Sequence, residues 1–511
     1  MAVTDDRKYT KEQVYNLLEK VKGKTLGEVD KSHQFARTLK SEKITGIAGD
    51  VVEQSIFGYE RDSDQECDIE IDGVLTELKT TGVRVPKCDL KNAKGKYGTD
   101  YNMHLGAKEG ISITNVTFDP TIQIDFNTSH FWEKAQHLLI VFYEYKSYEV
   151  VPASEYAQFP IVDYCYNSFS SDEKAKLQND WEIVRDYLQV IYKKHQDVER
   201  RNEQLIGFTH TLRPNLLLIE LVPGFKRKAS GNYQKPRYRL KKTFVDYIVR
   251  GHFNQSRIKN EITLKDSFAS FAQLDARCHE LSIRYKGKTL PELKEILGIE
   301  TDMKDIAAKC IIRMFGTDCN RLNQISDFTK AGIIAKTITI TPKGGKTEDM
   351  KLSHIDFEEW ADRDADFEDS DVYAYFCEHS FLCPIFCEHD ADDSNKTTFE
   401  GFKRFAFDDD FIETEVRRTW EDSRKLIHRN ELEWEYVYNK QGQKRINSSG
   451  AYMGAPNFPK SLNYKVFFRG GADVSTEKTR TECVNGIRML PQFFWLKGTY
   501  IANKLQEIPY I

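Results

Sequence analysis

The sequence predicts a mixed α/β protein built from two copies of one unit, each a twisted mixed sheet flanked by helices. Three observations carry this. The chain has 511 residues, more than one hydrophobic core usually serves, so two or more domains are expected. A short helical pattern (46–58, GIAGDVVEQSIFG) is followed by a strand–turn–strand pattern (67–80, CDIEIDGVLTELKT) and then by further apolar strands. Finally, segments of the first half recur in the second half in the same order.

The recurrences run through the chain. VKGKTLGEV (21–29) returns as YKGKTLPEL (285–293), and GIAGDVVEQSIFG (46–58) as KDIAAKCIIRMFG (304–316). GVLTELKTTGV is echoed by AGIIAKTITI (331–340), and HLLIVFYEYK (137–146) by FLCPIFCEHD (381–390). NDWEIVRDYL (179–188) is echoed by RTWEDSRKLI (418–427), and RLKKTFVDYI (239–248) by WLKGTYIANK (495–504). A single echo is weak, but six in one order point to a duplicated fold. The expected division is a first copy over 1–253, a polar linker over 254–265 (NQSRIKNEITLK) and a second copy over 266–511.

In the first copy, Ile47, Val51, Ile56 and Phe57 are spaced to face a core from a short helix that Gly58 stops. Asp72-Gly73 then forms a two-residue hairpin turn. Such a turn pairs Ile71 with Val74, Glu70 with Leu75, Ile69 with Thr76, and Asp68 with Glu77. Two carboxylates opposed on one face repel each other; a divalent cation between them removes that cost, and hard oxygen ligands suit Mg²⁺. Lys79 projects from the same face. Glu53, on the preceding helix, is placed to approach the group. An Asp, a Glu and a Lys converging in this way form the core of a metal-dependent phosphodiesterase site. Glu70 and Asp72 are rivals to Asp68, although Asp72 suits the turn itself.

The composition is that of a soluble, globular chain, 40% hydrophobic and 30% charged with a formal net charge of -5. No apolar run approaches membrane-spanning length, and the first residues lack a signal-peptide core. Ten scattered cysteines fit a reduced, cytoplasmic setting. Basic residues concentrate locally, in 87–98 (KCDLKNAKGKYG) and 226–242 (KRKASGNYQKPRYRLKK), the second with Tyr and Arg interleaved among Lys. Cys377, His379, Cys383, Cys387 and His389 cluster in sequence. Their alignment with a strand of the first copy makes Cys383 and Cys387 more simply buried strand residues than zinc ligands.

The segments GDVVEQSIFG, D…ELK, KEGISITNV (108–116), LLIVFYEYK, NDWEIVRDYL and YRLKKTF (238–244) together resemble the MutH-like nucleases. That family comprises the mismatch-repair nickase and type II restriction endonucleases that cut at GATC. The resemblance implies a restriction-endonuclease-like fold and Mg²⁺-dependent hydrolysis of double-stranded DNA. Asp68, Glu77 and the backbone carbonyl of Leu78 would then be metal ligands, with Glu53 on a second metal or beside Lys79. Lys79 would orient water or stabilise developing charge, and Lys108 would match a basic position near the site. The hairpin is two residues longer than the family's usual spacing between Asp and Glu. For DNA binding the resemblance implicates Lys226, Arg227, Arg237, Tyr238, Arg239 and Lys241, with Trp495 and Lys497 in the second copy. The nickase carries an aromatic residue where this chain has Arg239.

The second copy has lost the chemistry. The FG pairs align Ile311 with Glu53, and AKT with LKT aligns Ile334 with Glu77 while Lys336 keeps the place of Lys79. Asp327 is a candidate to stand for Asp68, but it would face no acidic partner. The expected protein is a GATC-cutting restriction endonuclease with a silent, DNA-binding effector half and a second DNA site. It would dimerise on its palindromic site or act on it twice. A strand-nicking repair enzyme and a non-catalytic GATC reader are the alternatives.

Overall fold

The hairpin turn sets the register of the strands that carry the candidate site. In the computed structural model Asp72 and Gly73 have φ of 49° and 80°, the two left-handed residues that a type I′ turn requires. The ladder pairs Ile71 with Val74, Glu70 with Leu75 and Ile69 with Thr76. Asp68 and Glu77 come next, just beyond its end. The structure describes residues 7–41, 44, 46–59, 66–86, 101–117, 124–147, 151–198, 200, 201, 203, 204, 212–222, 225, 226, 233–254, 264–300, 306–344, 347–355, 357–361, 363, 366–472 and 474–511. They fall into two units, 1–274 with 323–332, and 275–322 with 333–511.

In the first unit, β1 (Lys8–Tyr9), β2 (Ile69–Ile71), β3 (Val74–Arg84), β4 (Gly106–Ala107), β6 (His137–Glu144) and β7 (Ile161–Ser168) form a mixed sheet in the order β1-β2-β3-β6-β7, with β4 also on β3. One face buries Ile69, Ile71, Leu78, Leu139 and Val141 against Val14, Leu18, Val51, Val52 and Phe57. A second sheet has the order β5-β11-β8, from β5 (Ile111–Asn115), β8 (Ile219–Val222) and β11 (Arg237–Leu240). The short strands β9 (Phe225–Lys226) and β10 (Tyr233–Gln234) pair with each other. The helix Ser171–Lys194 opens with a capping box between Ser170 and Glu173. From its buried face Asp180 accepts N–H bonds from Leu217, Leu218 and Ile219 at 2.8, 2.7 and 2.9 Å, which fixes the second sheet on the helix. Burial pushes the Asp180 carboxyl up to about 6 against those donors.

The second unit repeats this plan. Strands β12 (Ile333–Ala335) and β13 (Ile338–Ile340) run parallel to β15 (Ser380–Cys387), which pairs antiparallel with β16 (Thr398–Ala406). Strands β14 (Met350–His354), β19 (Val466–Gly470) and β22 (Gln492–Leu496) form a sheet in the order β14-β22-β19. Two ribbons, β17 (Trp434–Tyr436) with β18 (Gly454–Pro456) and β20 (Glu482–Val484) with β21 (Ile487–Met489), complete it.

The likeness extends to single bonds. Gly23 and Leu26 donate N–H to the carbonyls of Ile161 and Phe159, and Gly287 and Leu290 donate to those of Phe399 and Thr397. Thr25–Glu28 and Thr289–Glu292 are both capping boxes. The β6–β7 bulge between Phe142 and Tyr143 recurs between Ile385 and Phe386 in β15–β16. Bulges re-aim a strand and arise at defined positions, so one in the same place twice argues for duplication.

Candidate active site

Strand β2 ends opposite Thr76, whereas β3 runs on to Arg84 and meets β4 only at Val83. Between these points the edge of β3 facing away from β6 has no strand partner among the described residues, and the candidate site lies on it. Asp68 Oδ2 accepts the Leu78 N–H at 2.9 Å. In an extended strand the N–H and C=O of one residue leave by the same edge, so the Leu78 carbonyl also faces Asp68. Glu77 is almost fully buried (1% exposed). Its carboxylate meets Lys79 Nζ at 2.7 Å and Lys134 Nζ at 3.0 and 3.2 Å. Burial and the Glu77 charge raise the Asp68 carboxyl above its ordinary range. Burial pulls the Lys79 ammonium down, but Glu77, Asp68 and Glu53 together hold it raised.

Glu53 enters from the helix Ile47–Val51, which continues as a π-helical turn over Val52–Phe57. Gly49 leaves room there: a Cβ on it would lie 3.6 Å from Thr80 Oγ1 and 3.8 Å from Glu53 Oε1. The structure thus brings Glu53, Asp68, Glu77, Leu78 and Lys79 to one stretch of sheet edge. Of the rivals, Glu70 pairs with Lys8 at 3.8 Å, and Asp72 accepts the Lys11 N–H from within the turn. Among the described residues no three His, Cys, Asp or Glu side chains are grouped as a metal site. What the edge offers a hard cation is two facing carboxylates and a carbonyl, a donor set that fits Mg²⁺.

Lys108 is not brought to this group. Its N–H bonds the Gly82 carbonyl, five residues beyond Glu77 on β3, and its ammonium lies 4.2 Å from the Tyr145 ring centroid. The second lysine is Lys134, on the helix His130–Ala135, which the sequence reading missed. A signal was available: β6 runs parallel to β3 with Leu138 opposite Glu77, so a residue just before β6 lies at the Glu77 end. Tyr59 was also missed. Its N–H bonds the Glu53 carbonyl, Arg7 lies over its ring at 4.7 Å, and its buried hydroxyl has no hydrogen-bond partner among the described residues.

The DNA-binding candidates divide. Tyr238 is buried (1% exposed) with its ring 5.0 Å from that of Phe131. Lys241 is buried too (2% exposed) and donates to the Leu216 carbonyl. Both are core residues, which corrects their expected place on DNA. Alternation along β11 explains Tyr238, because Arg237 and Arg239 take the opposite face; Lys241 lies past the strand, at the N-cap of the helix Lys242–Phe253. Arg239 pairs with Glu220 at 2.5 Å. Arg237 is half-buried, and burial and the Arg239 charge pull its guanidinium below its usual range. Lys226 lies in β9, without a described side chain, and Arg227 and the 87–98 loop lie outside the described residues. In the second unit the Arg469 guanidinium stacks on Trp495 at 4.8 Å, and Lys497 stands at the N-cap position of the helix Gly498–Glu507 without a side-chain capping bond, its N–H on the Lys465 carbonyl. Cys383 and Cys387 are buried in β15, as strand residues should be.

Asp327 does not take the place of Asp68. It lies in the helix Ser326–Ala331, among the residues grouped with the first unit, and accepts from Lys176, Ser267 and the Leu264 N–H. Its role is structural.

A mixed sheet with acids and lysines gathered on its open edge defines a restriction-endonuclease-like nuclease fold, here duplicated. Residues 57–180 match the family model of the DNA mismatch repair enzyme MutH. Over 528 aligned positions the chain is 23% identical to the type II restriction enzyme Sau3AI of Staphylococcus aureus, covering 98% of this chain and 99% of that one. The chain is thus similar to the MutH-like restriction endonucleases, through a family model over part of its first unit and a relative along its full length. No helix among the described residues is long and apolar enough to cross a membrane.

Proposed function

We propose that this restriction endonuclease hydrolyses double-stranded DNA at GATC with Mg²⁺, using the first unit for chemistry and the second as a DNA-binding effector. The observation that carries the reading is the Asp68–Glu77–Lys79–Lys134 group on the open edge of β3. Asp68, Glu77 and the Leu78 carbonyl would hold the ion, with Glu53 beside Lys79. Bound there, Mg²⁺ would polarise the scissile phosphate and make water a better nucleophile. Lys79 and Lys134 place two ammonium groups where negative charge grows on the phosphate, and the low exposure of the edge strengthens their effect. Arg237, on the face of β11 turned away from the core, is the better-placed candidate for a base contact; Arg239 must first leave Glu220. GATC specificity is supported by the resemblance to GATC-cutting enzymes. One reactive half cuts both strands of a palindrome by pairing chains on DNA or by two successive events.

The test is to incubate purified protein with unmethylated and methylated plasmid plus Mg²⁺ and to sequence the ends. Ends confined to GATC, and no cutting in EDTA, are expected; scattered ends or cutting in EDTA would reject the reading. For the effector role, a plasmid with several GATC sites should be cut faster per site than one with a single site. A short GATC duplex should restore the rate on the latter. Equal rates, unresponsive to duplex, would reject it.

A further inference from the structure

Lys79 and Lys336 hold the same place in their sheets, but only one has its charge answered. Strands β6 and β15 are both eight residues long. Laid end to end, they put Ile334, the partner of Phe381, where Glu77 partners Leu138. Lys336 follows at the place of Lys79, with its N–H on the Leu382 carbonyl. The cap Ser370, with its Oγ on the Phe367 carbonyl, matches Ser129 on Phe126; Tyr375 then falls where Lys134 lies. The Glu77 carboxylate is therefore gone, and Asp327, the candidate for Asp68, lies in a helix grouped with the first unit.

One ammonium remains. Lys79 bonds Glu77 at 2.7 Å, whereas half-buried Lys336 has no carboxylate or hydrogen-bonding partner among the described residues. Beside it in sequence, the Thr337 hydroxyl is buried and also without a partner. Burial, and then the charge of Lys351, pull the Lys336 ammonium below its ordinary range. Lys351 itself lies over the Phe493 ring at 3.5 Å, with no carboxylate paired to it among the described residues. A partly desolvated cation without a counter-charge costs free energy in the free protein, and an arriving anion removes that cost. On the reactive edge Asp68 and Glu77 would repel a bare phosphate; here no carboxylate pairs with Lys336 among the described residues.

We propose that the vestigial site of the second unit is a metal-independent binding site for a DNA phosphodiester, with Lys336 as its contact and Lys351 supporting it. This rests on the reading that the second unit binds DNA.

The test uses the full chain in EDTA, titrated with a labelled GATC duplex at several salt concentrations. The parent should bind two duplexes per chain. Lys336→Met should weaken one of them by about tenfold and lower the salt slope by about one. The same variant should unfold at a higher temperature than the parent, because an uncompensated ammonium has been removed. A merely structural lysine would move stability the other way. Lys336→Arg should restore binding. Inorganic phosphate alone should stabilise the parent less than duplex does; an equal effect would overturn assignment to the DNA backbone. Two duplexes bound alike by parent and Lys336→Met, with one salt slope, would overturn the proposal and leave the effector reading standing. A single duplex bound by both would overturn both.

Discussion

The two units keep the same hydrogen bonds and bulge but not the same charges. The docking of 23–26 on β7 is repeated bond for bond by 287–290 on β16, while Glu77 has become Ile334 and Lys134 has become Tyr375. The difference separates two kinds of constraint. Backbone bonds and bulges hold the strand register on which any use of the sheet depends. Opposed buried carboxylates cost stability wherever they are not used, so they are the part a copy relieved of chemistry can lose. Asp180 and its counterpart show the same economy. Trp181 and Trp420 align, which sets Thr419 at the place of Asp180. Its hydroxyl bonds the Val466 carbonyl at 2.9 Å, so a neutral contact does there what a buried charge does in the first unit.

This contrast can be broken experimentally. The largest effect is expected at Asp68. Asp68→Asn should slow cleavage by about 10³-fold or more without lowering the unfolding temperature, since the amide still accepts from Leu78 and no longer repels Glu77. A variant that cuts normally, or one that is markedly destabilised, would show that Asp68 is structural. Next, Lys134→Met should reduce single-turnover cleavage by roughly 10²-fold and leave duplex affinity in EDTA within a few-fold. A loss of affinity alone would make Lys134 a phosphate anchor.

Asp180→Asn and Thr419→Val compare the two sheet anchors. Urea unfolding should show a loss of about 2–4 kcal/mol for the first, where N–H groups lose their acceptor, and about 1 kcal/mol for the second. Their pH dependence should differ too. The Asp180 carboxyl is raised in the fold from 3.8 to about 6. The stability linked to its proton is therefore fully present below pH 4 and is lost as pH rises through 6. The deficit of Asp180→Asn should accordingly be larger at pH 4 than at pH 7, whereas that of Thr419→Val should stay constant. The smallest effect belongs to Tyr238→Phe. Its hydroxyl is buried without a partner, so stability should change by no more than about 0.5 kcal/mol and DNA affinity not at all. A tenfold loss of affinity would return Tyr238 to the DNA surface.

Much of this was legible in the residues. Asp72-Gly73 set a register that runs without a slip from Ile71–Val74 to Ile69–Thr76, one pair short of the expected Asp68–Glu77, because a type I′ turn leaves one pairing. The repeats were legible because capping boxes and glycine stops depend on local sequence. The misses are tertiary. Lys134 reaches Glu77 only through the parallel pairing of β3 with β6, a contact between segments more than fifty residues apart. Tyr238 and Lys241 sit in a basic run that looks solvated throughout, yet strand alternation and the turn into the helix Lys242–Phe253 bury both. Asp327 matched Asp68 by position only, since a helix stands where the first unit has β2.

The central claim is that all of the chemistry resides in the first unit. Glu77→Ala in the full chain, assayed on plasmid with several GATC sites in Mg²⁺ beside duplex binding in EDTA, tests it most directly. The account predicts no detectable cleavage together with binding close to that of the parent. Cleavage within tenfold of the parent, with the same ends, would contradict it and place the reactive centre elsewhere.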